Sequence, residues 1–293
     1  MKKIYLILLI LLIVTPLFSN GQQGKLEQTE KKDEIITVFT SIVPQKYFVE
    51  RIGGDRVEVH VLVGPGKNPA TYEPTPGQVL KLSDSDIFFT IGVPFENAFI
   101  PKIRSSLKNL KIVDTSVGIE KRILFNEVKQ VRTPDPHIWL SPNLAKVQAK
   151  TIFNALVQND PEGKEAYTIG YNHFIKDLNK VQNELSKVLL PLKGNIFFVF
   201  HPSFGYLLDE FGLEQVAIET GGKEPGPAIL EKIIMQAQEQ NVKVIFVQPE
   251  FSLKSANVIA EAIGGAVVTL NPLGPDYLNN LRHIALEIEK SFK

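Results

Sequence analysis

The sequence predicts an α/β protein: two doubly wound lobes with parallel sheets, joined by one long rigid connector helix. Three observations predict it. Short apolar, β-branched runs alternate with helical patterns up to about residue 159, and the same alternation restarts after residue 190. Between the two series, residues 160–190 carry the longest helical pattern of the chain, with a single apolar stripe. Breaker-rich loops follow several strands, where open α/β sheets bind ligands.

The fold is expected to begin at Ile35, whose run to Thr40 is β-branched and aromatic, followed by a helix over Pro44 to Ile52 that Gly53-Gly54 stops. Val57 to Val63 alternates as a strand, which turns His60 toward solvent or a helix. The loop from Gly64 to Pro76 is stiffened by prolines and long enough to be functional. Helix 76–82, strand 86–92, helix 96–107 and strand 111–113 complete the first lobe, with no assignment for Gly118 to Arg132. Ser141-Pro142 reads as an N-cap and first helical residue, opening a helix to about Val157. Asp160-Pro161 repeats the signature and opens the connector, whose stripe is Phe174, Leu178, Val181, Leu185 and Val188. Strands at 196–200, 216–219, 242–247 and 266–270, followed by helices near 203–211, 227–239, 253–263 and 277–292, build the second lobe. The expected organisation is a signal at 1–20, a tether at 21–34, lobes at 35–159 and 191–293, and the connector at 160–190.

Composition narrows the function. With 293 residues and 44% hydrophobic content the chain can fill two cores, and 32 basic against 32 acidic residues give no nucleic-acid surface. Lys2-Lys3, an apolar run from Ile4 to Val14 and Ser19-Asn20-Gly21 have the order of a secretory signal directing export, cleaved between about Asn20 and Gln23, with an uncleaved anchor as the alternative. There is no cysteine, so no disulfide, thiolate ligand or lipid-bearing cysteine is available. No H-E-x-x-H, G-x-S-x-G or Gly-rich phosphate loop occurs, which argues against an enzyme.

Two histidines stand where a ligand would be held. Pro134-Asp135-Pro136-His137-Ile138-Trp139-Leu140-Ser141-Pro142 sets His137 and the only tryptophan between prolines, as a stiff presented loop. His201-Pro202-Ser203 follows a strand end. His173 and His283 fall on solvated helix faces.

These residues carry a resemblance. Tyr72-Glu73-Pro74-Thr75-Pro76, the Asp135 to Pro142 segment, His201-Pro202-Ser203-Phe204-Gly205-Tyr206, Gly222-Lys223-Glu224-Pro225 and Asn271-Pro272-Leu273-Gly274 occur in order. Together they resemble the zinc/manganese solute-binding proteins of ATP-binding-cassette importers. The resemblance implies a zinc or manganese ion bound as cargo in a cleft between the lobes, a membrane permease as partner, and a monomer on the periplasmic or extracellular face. It places the family's metal-ligand positions at Ala70, His137, His201 and Asn271. The first is ordinarily histidine and the last aspartate, so two nitrogen donors remain and the Ala70 ligand is lost. Replacement donors are then sought among Glu250, Glu73, Glu219 and Glu224. Glu250 stands out because the family commonly carries an acid where Gln248 stands. The alternative is a pocket of the same fold altered to take a metal chelate or a small anion against His137 and His201.

Overall fold

Ile36–Ile42 forms the first strand, β1, from residues that are buried on both faces of the sheet, the pattern of a central parallel strand. The computed structural model describes residues 35–126, 131–219 and 223–293. The expected signal and tether, and Gly222, lie outside the described residues. After β1 come α1 (Val43–Gly53), β2 (Val57–Val63), α2 (Pro76–Ser83), β3 (Ile87–Thr90), α3 (Pro94–Ser106) and β4 (Lys111–Asp114). The strands pair in parallel in the order β2-β1-β3-β4. A two-stranded antiparallel hairpin, β5 (Ile123–Asn126) and β6 (Val131–Pro134), fills the region left unassigned from the sequence. Two helices follow, α4 (Pro142–Asn159) and α5 (Lys164–Leu189).

The second sheet is built from β7 (Ile196–Val199), α6 (Gly205–Asp209), β8 (Glu214–Ala217), α7 (Pro227–Glu239), β9 (Val244–Val247), α8 (Lys254–Ala262) and β10 (Ala266–Thr269). Its order, β10-β9-β7-β8, is the first sheet's topology repeated. In both sheets the chain steps one way from the first strand to the second and then reverses. Right-handed crossovers therefore place the first helix on one face and the next two on the other. The β7 segment reads this out: Phe197 and Val199 join the main core, whereas Phe198 and Phe200 join a second core under α7 and α8. The reversal leaves a crevice at the carboxyl ends of β1 and β3, and of β7 and β9.

The connector α5 is 26 residues long and buries Tyr167, Phe174, Leu178, Val181, Leu185 and Leu189. Val188 is half-buried against the same core, and Leu189 beside it, four residues beyond Leu185, is fully buried. It packs against α1, α4 and the last helix, α9 (Tyr277–Ser291). At Gly170 a Cβ would stand 2.5 Å from the Ile52 carbonyl, so the crossing with α1 is a backbone-to-backbone approach that only glycine permits. Although α9 follows the second sheet, Tyr277 at its start packs edge-on against Phe48 of α1, with ring centroids 4.7 Å apart. Among the described residues no helix is long and apolar enough to cross a membrane.

One buried acid shapes the crevice. Glu96 in the first turn of α3 is 3% exposed, and its carboxyl accepts the N–H groups of Ile91 (3.0 Å) and Gly92 (2.8 Å) just beyond β3. Burial pushes this carboxyl up from 4.5 to about 7, against the pull of those two N–H groups. The folded protein thus holds the proton more tightly than the unfolded chain. The stability from this group is full below about 4.5 and is lost as pH rises through about 7. Glu96→Gln is expected to flatten the fall in unfolding free energy between about pH 5 and pH 8 by on the order of 2 kcal/mol. Urea unfolding of both proteins at the two pH values checks this.

Candidate metal centre

His137 is fixed by its own turn. The Asp135 carboxylate accepts the His137 backbone N–H at 2.9 Å and contacts Nδ1 at 2.7 Å, closing a turn of the kind that aspartate favours. Asp135 is fully buried, its N–H donates to the Arg122 carbonyl (2.8 Å), and its carbonyl accepts the Tyr206 hydroxyl (2.9 Å). Behind it, Ile138–Leu140 forms a short 3-10 turn, and Ser141 caps α4 by accepting the Leu144 N–H at 3.1 Å. The Trp139 indole N–H reaches across to the Pro272 carbonyl at 2.8 Å. The segment is a stiff loop, as its prolines predict, but it is not a solvent-facing one. Instead, residues 135 to 142 are buried, because these hydrogen bonds tie them to the later part of the chain.

His201 stands just past β7, at the reversal point of the second sheet. Gln248, just past β9, holds the His201 backbone from both sides: its carbonyl accepts the N–H at 3.2 Å, and its amide donates to the C=O at 2.6 Å. The same amide donates to the Ser203 hydroxyl at 2.8 Å. A carboxylate cannot donate, so the amide at 248 is suited to clasping the histidine backbone. Glu219 contacts His201 Nδ1 at 2.9 Å, and Phe251 stacks on the imidazole at 5.0 Å between centroids.

These two placements bring the rings together, with Nε2 of His137 and Nε2 of His201 3.2 Å apart. A carboxylate on each Nδ1 favours the tautomer whose Nε2 lone pair faces the other ring. Two lone pairs so close repel unless a cation lies between them. The separation suits one: metal–nitrogen bonds of about 2.05 Å at a tetrahedral angle put two nitrogens about 3.3 Å apart. Among the described residues one oxygen each of Asp135 and Glu219 makes no hydrogen bond, with Arg122 Nε 3.9 Å from that of Asp135, so two buried carboxylates stand directly behind the pair.

Both rings open into a cavity of about 410 Å³ that Ala70 and Glu250 also line. Burial raises the Glu250 carboxyl above its ordinary value, and the neighbouring His201 opposes the shift. The other sequence-derived acids lie elsewhere. Glu219 backs His201 rather than facing the cavity. Glu73 is exposed, and Glu224 is exposed and bonded to the Ser255 hydroxyl. The Asn271 side chain accepts the Leu273 N–H at 2.8 Å and does not line the cavity. Among the described residues no group of three or more His, Asp or Glu side chains is placed to hold a metal ion. Asp135 as the partner of His137, and Lys121 on the cavity wall, emerge only in the structure. The Asp-Pro-His spacing held the signal for the first; nothing local marked the second.

Comparison with known proteins bears on this arrangement. A family profile described as "Zinc-uptake complex component A periplasmic" matches residues 38–291. The high-affinity zinc uptake system protein ZnuA of Bacillus subtilis is 29% identical over 86% of this chain and 83% of its own length. The manganese ABC transporter substrate-binding lipoprotein PsaA of Streptococcus anginosus is 26% identical, over 85% and 82%. Among solved structures, a ZnuA crystal structure superposes with a TM-score of 0.84 at 37% identity, covering 89% of this chain and all of the other. The laminin-binding protein Lmb of Streptococcus agalactiae, described as both adhesin and metal transporter, superposes at 0.79 with 27% identity over 89% of this chain and 100% of its own. The matched span takes in both sheets, the connector and both histidines, and the chain belongs to this family of metal-binding proteins of ATP-binding-cassette importers, which are not enzymes.

Proposed function

We propose that this protein is an exported receptor that captures a divalent metal ion, zinc or manganese, in the cleft between lobes 35–159 and 191–293 and hands it to a membrane permease. The observation that carries the reading is the pair of imidazole Nε2 atoms 3.2 Å apart, each ring backed by a buried carboxylate. His137 and His201 are the ligands in this reading, and Glu250, the acid on the same cavity wall, can take a further position where no other ligand fills it. Asp135 and Glu219 orient the rings and offset the charge of a divalent ion. Two nitrogen donors favour zinc over manganese, which prefers oxygen. The chain acts as a monomer on the periplasmic or extracellular face of the membrane, without a lipid anchor at a cysteine. Calorimetric titration with Zn²⁺ and Mn²⁺ tests the reading. One ion bound per chain, zinc more tightly, is expected; absence of binding by either would sink it.

Ala70 and Asn271 supply a second check. Ala70 is exposed and shares the cavity with both histidines, so an imidazole there has room to reach the pair. Ala70→His with Asn271→Asp is expected to tighten Zn²⁺ binding by about tenfold or more, most of it from position 70, because Asn271 is engaged with the Leu273 N–H. Titration of the parent, both single variants and the double variant separates the two contributions. Unchanged affinity in the double variant would mean that position 70 is not a lost ligand position.

A further inference from the structure

A metal held only by His137 and His201 lacks half of a tetrahedral shell. The cavity they open into, about 410 Å³, is far larger than the missing donors require. At about 30 Å³ per water it would hold more than a dozen, and its volume lies in the range that receives small organic ligands. Much of its wall is apolar, including Pro69, Val93, Leu124, Trp139 and Phe251. A hydrated ion gains nothing from such walls; the body of an organic molecule does.

The charge on the wall is also unusual for a cation site. Lys121 lines the same cavity, and among the described residues its ammonium has no hydrogen-bond or ion-pair partner. It is admitted by Gly92, which has φ of +93° and where a Cβ would stand 2.8 Å from Nζ. An unpaired ammonium opposes a bare divalent ion but favours an anion bound beside it. Asp135 and Glu219 stand behind the rings and Glu250 shares the wall with Lys121, so a carboxylate-bearing ligand adds negative charge to a site already lined by acids, and Lys121 is the positive group on the wall that can meet it.

From the open coordination positions, the size and apolarity of the cavity and the ammonium of Lys121 on its wall, we infer that the cargo is a metal chelate. The zinc ion is bound by His137 and His201, and its remaining positions are filled by a small carboxylate chelator, an amino acid or hydroxy acid, whose free carboxylate meets Lys121. This rests on the metal-capture reading and adds the form in which the metal arrives.

The experiment measures Zn²⁺ binding at matched free Zn²⁺, in a non-coordinating buffer, in citrate and in L-histidine. Readouts are the fluorescence of Trp139, whose ring lies 5.2 Å from that of His137, and native mass spectrometry. At least one chelator is expected to raise apparent affinity tenfold or more, with the mass of chelator plus zinc added to the chain. In Lys121→Gln the chelator-dependent gain should fall by about tenfold. If occupancy follows free Zn²⁺ alone and only the metal's mass is added in both chelators, the inference is overturned while metal capture stands. A gain that persists in Lys121→Gln also overturns it, since the assigned counter-charge would have no role. If zinc binds in no arm, both readings fall together.

Discussion

Zn²⁺ affinity should fall by about 100-fold or more in His137→Ala and in His201→Ala, a loss of about 3 kcal/mol or more for either ring. The argument rests on the short separation of the two Nε2 atoms. Neither ring alone makes a site, and among the described residues no acidic cluster stands ready to replace one. The effect should be graded. Glu219→Gln removes the charge behind His201 but keeps an oxygen within reach, so a loss of about 10- to 100-fold is expected, as for partners that orient a ligand. Asp135→Asn should behave similarly at His137, with some added disturbance because Arg122 Nε lies 3.9 Å from its second oxygen. Calorimetry of the four variants, with thermal unfolding to confirm that each is folded, gives the order. If both alanine variants bind zinc as the parent does, the metal site lies elsewhere on the chain.

Trp139→Ala should lower unfolding free energy by about 3–5 kcal/mol, a large share of the 5–15 kcal/mol typical of folded domains. Three features of the residue combine in that figure. Its ring is 1% exposed, so truncation leaves a cavity. Its indole N–H satisfies the Pro272 carbonyl, which would lose that partner at a cost of about 1 kcal/mol. Its own carbonyl accepts the Tyr277 hydroxyl at 2.5 Å, so any shift of the turn reaches the junction between α9 and α1. Trp139→Phe keeps most of the apolar volume and loses the N–H, and should cost about 1–3 kcal/mol. Guanidinium unfolding of the three proteins separates packing from hydrogen bonding. Equal stability of Trp139→Phe and the parent would mean that the bond to Pro272 contributes nothing. Because the ring also borders His137, the alanine variant should bind zinc more weakly even where it remains folded.

Periodicity was most informative where one face of an element is buried and the other wet. The second strand and the helix Pro227–Glu239 lie where the apolar spacing puts them, and the connector was legible from its stripe. Edges were not. The strand expected over 216–219 runs Glu214–Ala217, because an edge strand tolerates Glu214 and Gln215 at positions a central strand would fill with apolar side chains. The hairpin around residues 123–134 has Arg132 and Pro134 in its second strand, and a two-stranded ribbon imposes no alternation that a pattern could reveal.

By itself the sequence determined that two series of α/β units flank a long helix, that His137 and His201 are the nitrogen donors available at loop positions, and that position 70 offers none. The first two are local, resting on side-chain type, spacing and the geometry prolines impose; position 70 is marked only by the resemblance to the family. The tertiary structure alone decided that the two imidazoles meet at 3.2 Å, that Glu219 stands behind a ring rather than in the cavity, and that Asn271 is turned into its own loop. It also brought Lys121 to the cavity wall and carried the last helix back to the first. Each of these is a meeting of residues far apart in the chain, fixed by how two sheets of the same topology present the carboxyl ends of their strands, and no local pattern encodes such a distance.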